Sequence, residues 1–195
     1  MGLDPAQLRI HPEWLPFYRS GLRYLLLPGR YGKKDQPDPL HHNPGRETWL
    51  QHLKGLSPPY SVLITYRDLP LDGPEPTLKE SGSQRCDLFR RMLSSLSWPS
   101  TSYVFWPHTY LSGREIFPDS SLFWEGIQIL RPCYVLLFGY RCGSLLFPQR
   151  ELHYEWFQEE GLHFLLLPDP SEMLPDNRSA KSFVWQKLRS LSIRT

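Results

Sequence analysis

Short runs of β-favouring apolar residues recur along the chain at 61–66, 103–106, 133–139 and 162–167. Each run is apolar at consecutive positions, so both faces are buried, which is the signature of central strands in a parallel sheet. Between and after them the spacing turns helical. In 84–97, Leu88, Phe89, Met92, Leu93 and Leu96 make one apolar stripe; in 122–130, Phe123, Ile127 and Leu130 do; in 179–191, Ala180, Phe183, Val184, Leu188 and Leu191 do. Strand and helix alternate four times. Right-handed crossovers then put helices on both faces of the sheet. The pattern predicts an α/β protein: a three-layer α/β/α sandwich around a central four-stranded parallel sheet, with strands near 61–66, 102–106, 133–139 and 162–168.

Residues 1–60 lack this rhythm. Gly29, Gly32, Pro37, Pro39, Pro44, Gly45, Pro58 and Pro59 interrupt them, and only 22–27 and 48–56 look like elements. They read as an N-terminal arm packed on a domain that spans 61–195. No internal repeat of solenoid period is visible.

Composition narrows the classes. The 195 residues are 40% hydrophobic and 22% charged, enough to bury a core. Lys and Arg number 22 against 20 Asp and Glu, a net charge of +2, so any nucleic acid or anionic surface must be met by a local patch. No apolar run approaches the ~20 residues of a membrane span, and no membrane association is expected. The start has neither a basic segment followed by an apolar one nor a Ser or Thr at Ala6, so neither a secretory signal nor myristoylation is expected. Cys86, Cys133 and Cys142 are odd in number and lack CxxC spacing, which fits buried thiols in a reducing, cytoplasmic setting. His41-His42 lies in a Pro/Gly/Asn-rich loop, and no metal or other cofactor is expected. A nucleotide-binding protein is disfavoured by the lack of GxGxxG and GxxxxGK(S/T).

In an open parallel sheet, chemistry sits in the loops at the strand ends. These are Thr65-Tyr66-Arg67-Asp68-Leu69-Pro70, Pro107-His108-Thr109-Tyr110, Gly139-Tyr140-Arg141-Cys142-Gly143, and Pro168-Asp169-Pro170-Ser171-Glu172. Asp68 serves either as a general base toward water or as the cap of the turn that follows. Tyr66, Phe105, Trp106 and Tyr110 either stack a base or fill the core. After Asp176 the chain carries Arg178, Lys181, Lys187, Arg189 and Arg194 with no acid. That strip fits a phosphate backbone, or equally a solvated helix face whose cations sit near its negative end.

Taken together, these elements resemble the uracil-DNA glycosylase superfamily over about two-thirds of the chain. Arg131-Pro132-Cys133-Tyr134-Val135-Leu136-Leu137-Phe138-Gly139 is similar to its P-x-V-I-x-x-L-G strand. Asp169-Pro170-Ser171-Glu172-Met173-Leu174 resembles its HPSP loop, and Lys181 with Trp185 and Leu188 its terminal helix. Arg67-Asp68-Leu69-Pro70 takes the first-loop place. The resemblance implies a pocket for a flipped base, with Asp68 as the catalytic residue. Tyr66, Arg67, His108, Tyr110, Asp169, Ser171 and Lys181 would contact DNA or base.

The departures imply lost catalysis. Asp169 stands where the family's loop supplies a His that stabilises the leaving base, and a carboxylate there repels developing negative charge. The family's iron–sulfur variant needs four cysteines, and the chain has three. The chain is also similar to the psi-subunit family of bacterial clamp loaders. The matching residues are Asp68-Leu69-Pro70 and Asn177-Arg178-Ser179-Ala180 with Trp185-Gln186. The expectation is a catalytically degenerate member that binds DNA, or a replication or repair protein through the N-terminal arm. The alternatives are an active divergent glycosylase and a psi-like adaptor.

Overall fold

The four apolar runs form parallel strands in a computed structural model that describes residues 44–77, 83–191 and 193. Strand β1 is Val62–Tyr66, β2 Tyr103–Phe105, β5 Tyr134–Phe138 and β7 Leu162–Leu167. β1 pairs in parallel with β2 on one side and with β5 on the other, and β5 pairs in parallel with β7. Val62, Leu63 and Ile64 have no exposed surface. Burying side chains of that size contributes roughly 1.5–3 kcal/mol each.

The sheet has five strands, not four. β6, Trp156–Glu159, runs antiparallel to β7 and closes the order β2-β1-β5-β7-β6. Its turn is Glu160-Gly161, both at positive φ (50° and 81°), the geometry of a two-residue hairpin. A separate hairpin, β3 (Thr109–Ser112) and β4 (Glu115–Pro118), follows β2. The fold is therefore mixed α/β with a mostly parallel sheet.

Helices cover both faces. On one lie α3 (Gln84–Leu96) and α7 (Arg178–Arg189), with the short α6 (Pro170–Met173) at the strand ends. Phe89 of α3 stacks on Tyr66 at 4.8 Å and meets Phe105 and Phe138 edge-on. On the other face lie α1 (Pro44–Lys54), α4 (Ser120–Leu130) and α5 (Tyr140–Leu146). The one-turn α2 (Leu69–Asp72) leaves the end of β1. α4 approaches β2 closely because Gly126 lies under the Trp106 indole, where a Cβ would collide with the ring. The indole N–H then donates to Leu122 O at 2.9 Å.

Helix α1 falls within the stretch that the sequence assigns to the arm. Here it belongs to a compact unit spanning 42–195 and buries Trp49 edge-on against Trp106 at 5.9 Å. Its Arg46 pairs with Asp119 and Glu125. The rest of the proposed arm up to residue 43, including the 22–27 run and the His41-His42 pair, lies outside the described residues, as does Arg194. Among the described residues no helix is long and apolar enough to cross a membrane.

Candidate functional site

The chain leaves β1 toward β2 at one edge and leaves β5 toward β7 at the other. The carboxyl ends of β1 and β5 are thus the topological switch point, where open α/β sheets place their ligands. Two groups of side chains gather there.

The first is an ion network after β1. Asp68 sits at the N-cap of α2, but its side chain makes no cap hydrogen bond. Its Oδ2 instead lies 3.3 Å from Arg85 Nη1. Arg85 also donates from Nε to Asp72 Oδ2 at 2.9 Å and from Nη2 to Asp72 Oδ1 at 3.2 Å. The Tyr66 hydroxyl donates to Asp72 Oδ2 at 2.8 Å. Asp72 is buried, so its charge is sustained by this fork and the phenol together. Burial, and then the Asp72 charge, push the Tyr66 phenol well above its ordinary pKa.

The second group centres on His108, which is 2% exposed. Its Nδ1 lies 2.9 Å from Thr65 Oγ1 and 3.5 Å from Cys142 Sγ. Burial pushes the imidazole down to about 4, so it is neutral near pH 7. Burial, and then the charge of Asp169, push the Cys142 thiol up, so it stays protonated. The pair is therefore a neutral hydrogen-bonded contact and not the thiolate–imidazolium pair of a cysteine nucleophile.

The remaining predicted residues fall into place around these. Asp169 is a helix cap: Oδ1 accepts from Ser171 N at 2.8 Å and from Ser171 Oγ at 2.6 Å, while Glu172 Oε1 accepts from Asp169 N at 2.9 Å. Ser171 is thereby committed to Asp169. Tyr66 is not a stacking platform, because Phe89 covers its ring inside the core. Tyr110 is 6% exposed and stacked on Phe117 at 5.6 Å, so it is core as well. Phe105 and Trp106 are buried too. Lys181 does not extend from the helix as a free cation; Nζ donates to Pro175 O at 3.0 Å and lies 3.3 Å from Asp176 Oδ1. Arg67 is exposed and forms no ion pair among the described residues.

Two further residues belong to this edge. Tyr140 and Arg141 open α5 directly after β5, whose last residue pairs with Tyr66, the residue before Arg67. Tyr140 is 52% exposed, and Arg141 is exposed and without an ion pair among the described residues. The strand-end loop that carries them is legible in the sequence. Their exposure is not, because α5 is only seven residues long and shows no clear stripe. A pair of unpaired guanidinium groups with an exposed phenol ring suits phosphates flanking an unstacked base.

Among the described residues no group of three or more His, Cys, Asp or Glu is placed to hold a metal ion. Compared with protein-family models and with curated proteins, the chain matches none.

Proposed function

We propose that the chain is a glycosylase-type α/β protein without base-excising activity that binds DNA along the carboxyl edge of its sheet. The glycosylase-type reading of the fold rests on four parallel strands at the expected positions and on loop motifs at their ends. One observation carries the functional reading. At the strand ends Asp68 is engaged by Arg85 and Asp169 by its own helix, whereas Arg67 and Arg141 stand exposed without ion pairs among the described residues.

Asp68 holds one carboxylate oxygen against a guanidinium and has only the other to offer a water. A carboxylate at Asp169 opposes charge on a departing base. Binding then proceeds through cation–phosphate contacts with Tyr140 as the stacking surface.

Titrating single-stranded and duplex uracil-containing oligonucleotides at several salt concentrations, with base release assayed in the same samples, tests this. The expected result is salt-sensitive binding with no free uracil. Rapid uracil release that is lost in Asp68→Asn would overturn it.

A further inference from the structure

A groove of about 640 Å³ lies between α3 and the stretch from α6 into α7. We propose that this groove docks an amphipathic, acidic helical segment of a partner protein. The proposal stands apart from the DNA-binding reading, which uses Arg67, Tyr140 and Arg141, none of which lines this groove.

Two properties of the groove lead there. Its walls are apolar: Leu88 and Met92 line one side, Trp185 the other, and Val184 reaches the floor. Only Val184 of these four is fully buried; Leu88, Met92 and Trp185 remain half-exposed, as unpartnered helix faces do. A trough between two helices is the form that receives the apolar face of a third.

The second property is charge. α3 carries Arg85, Arg90 and Arg91 against one acid, Asp87; α7 carries Arg178, Lys181, Lys187 and Arg189 against none. Of these cations Arg91 and Lys181 line the groove, and Lys181 is paired with Asp176. Asp87, which lines it, is held by Arg90 at 2.8 Å. Arg91 lies on the rim, exposed and without an ion pair among the described residues. An occupant that seats leucines or an aromatic on Trp185 and Met92 and turns a carboxylate to Arg91 satisfies both features. A bare phosphate backbone leaves the apolar walls uncovered. A basic peptide meets like charge at Arg91.

The test uses the full chain and a labelled amphipathic peptide with leucines and a phenylalanine on one face and glutamates on the other, followed by fluorescence polarisation. A twin peptide carries lysine in place of each glutamate. Saturable binding of the acidic peptide is expected, with no binding of the twin. Arg91→Glu weakens it by about tenfold or more, and Trp185→Ala removes an anchor with a loss of similar size. Thermal melting monitored by circular dichroism shows that both variants remain folded. Four outcomes overturn the proposal: no saturable binding, equal binding of both peptides, no effect of Arg91→Glu, or displacement of the peptide by an oligonucleotide. Self-association of the chain that Arg91→Glu abolishes also overturns it, since a second copy then fills the groove.

Discussion

The carboxylate of Asp169 stands directly over Gly139: a Cβ at residue 139 would lie 2.7 Å from Asp169 Oδ2. Gly139 also holds a φ of +101°, a region that side chains avoid, and donates its N–H to Leu167 O at 2.8 Å. The end of β5 and the cap of α6 therefore share one small volume. Gly139→Ala should destabilise the fold by about 1–3 kcal/mol through strain and collision. Asp169→Ala alone should cost about 1 kcal/mol through the lost cap. The double variant should cost less than the sum, because removing the carboxylate relieves the collision. Urea unfolding of the four proteins measures the coupling. Strict additivity would remove the contact from the account.

The switch-point carboxylates should differ sharply in what they contribute. Asp72 is buried and receives both the Arg85 fork and the Tyr66 hydroxyl, so Asp72→Ala strands the phenol and leaves Arg85 with Asp68 alone. A loss of about 2–3 kcal/mol is expected. Asp68 is one-third exposed and meets Arg85 through a single 3.3 Å contact. Asp68→Asn should cost under about 1 kcal/mol. Equal losses in denaturant unfolding would contradict the assignment of Asp72 as the centre of the network.

How far the sequence discloses the fold follows from burial. β1, β5 and β7 are covered on both faces, so their apolar runs are continuous and unmistakable. β6 is an edge strand with the residues Trp156-Phe157-Gln158-Glu159, half-exposed and too short for its period to register. Helix α1 begins at Pro44-Gly45, punctuation that reads as a loop although Trp49 is anchored in the core. At the site, the strand-end loops are legible from topology alone. Which aromatic lies bare is not: Tyr66 and Tyr140 each follow or end a strand, and only packing by Phe89 distinguishes them. The link between Asp72 and Arg85 spans a segment with no periodicity to join them.

Acid stability should report on His108. Its imidazole protonates at about 4 in the folded chain against an ordinary 6.5. Between these values the unfolded state binds the extra proton, so stability falls as pH drops from 6.5 toward 4. The loss reaches at most about 3 kcal/mol at the lower end and then stops growing. His108→Gln should flatten that part of the pH dependence, and the difference between the two profiles isolates this residue from every other histidine. A folded-state NMR titration midpoint near 6.5 for His108 would refute the burial argument.

Restoring a histidine at the end of β7 should not restore base excision. Asp169→His removes the repelling carboxylate. It also removes both bonds to Ser171 and places an imidazole where Asp169 now crowds Gly139. Asp68 stays engaged by Arg85 in that variant. Uracil release from single-stranded oligonucleotides should therefore remain at background. Release well above background in Asp169→His would mean that Asp68 still activates water despite its ion pair.

The DNA contacts should map to the sheet edge and not to the terminal helix. Arg67 and Arg141 have no acid partner among the described residues, so each is available to a phosphate and releases counterions on binding. Lys181 is already occupied by Pro175 O and Asp176, and phosphate contact requires breaking both. Arg67→Ala and Arg141→Ala should each reduce the slope of log affinity against log salt by about 1. Lys181→Ala should leave the slope unchanged. Tyr140→Ala should weaken single-stranded binding by about 1–3 kcal/mol without altering the slope, because stacking releases no ions. The five proteins are compared by titrating one labelled oligonucleotide at several salt concentrations. A slope that falls in Lys181→Ala and holds in Arg67→Ala and Arg141→Ala would move the interface onto α7.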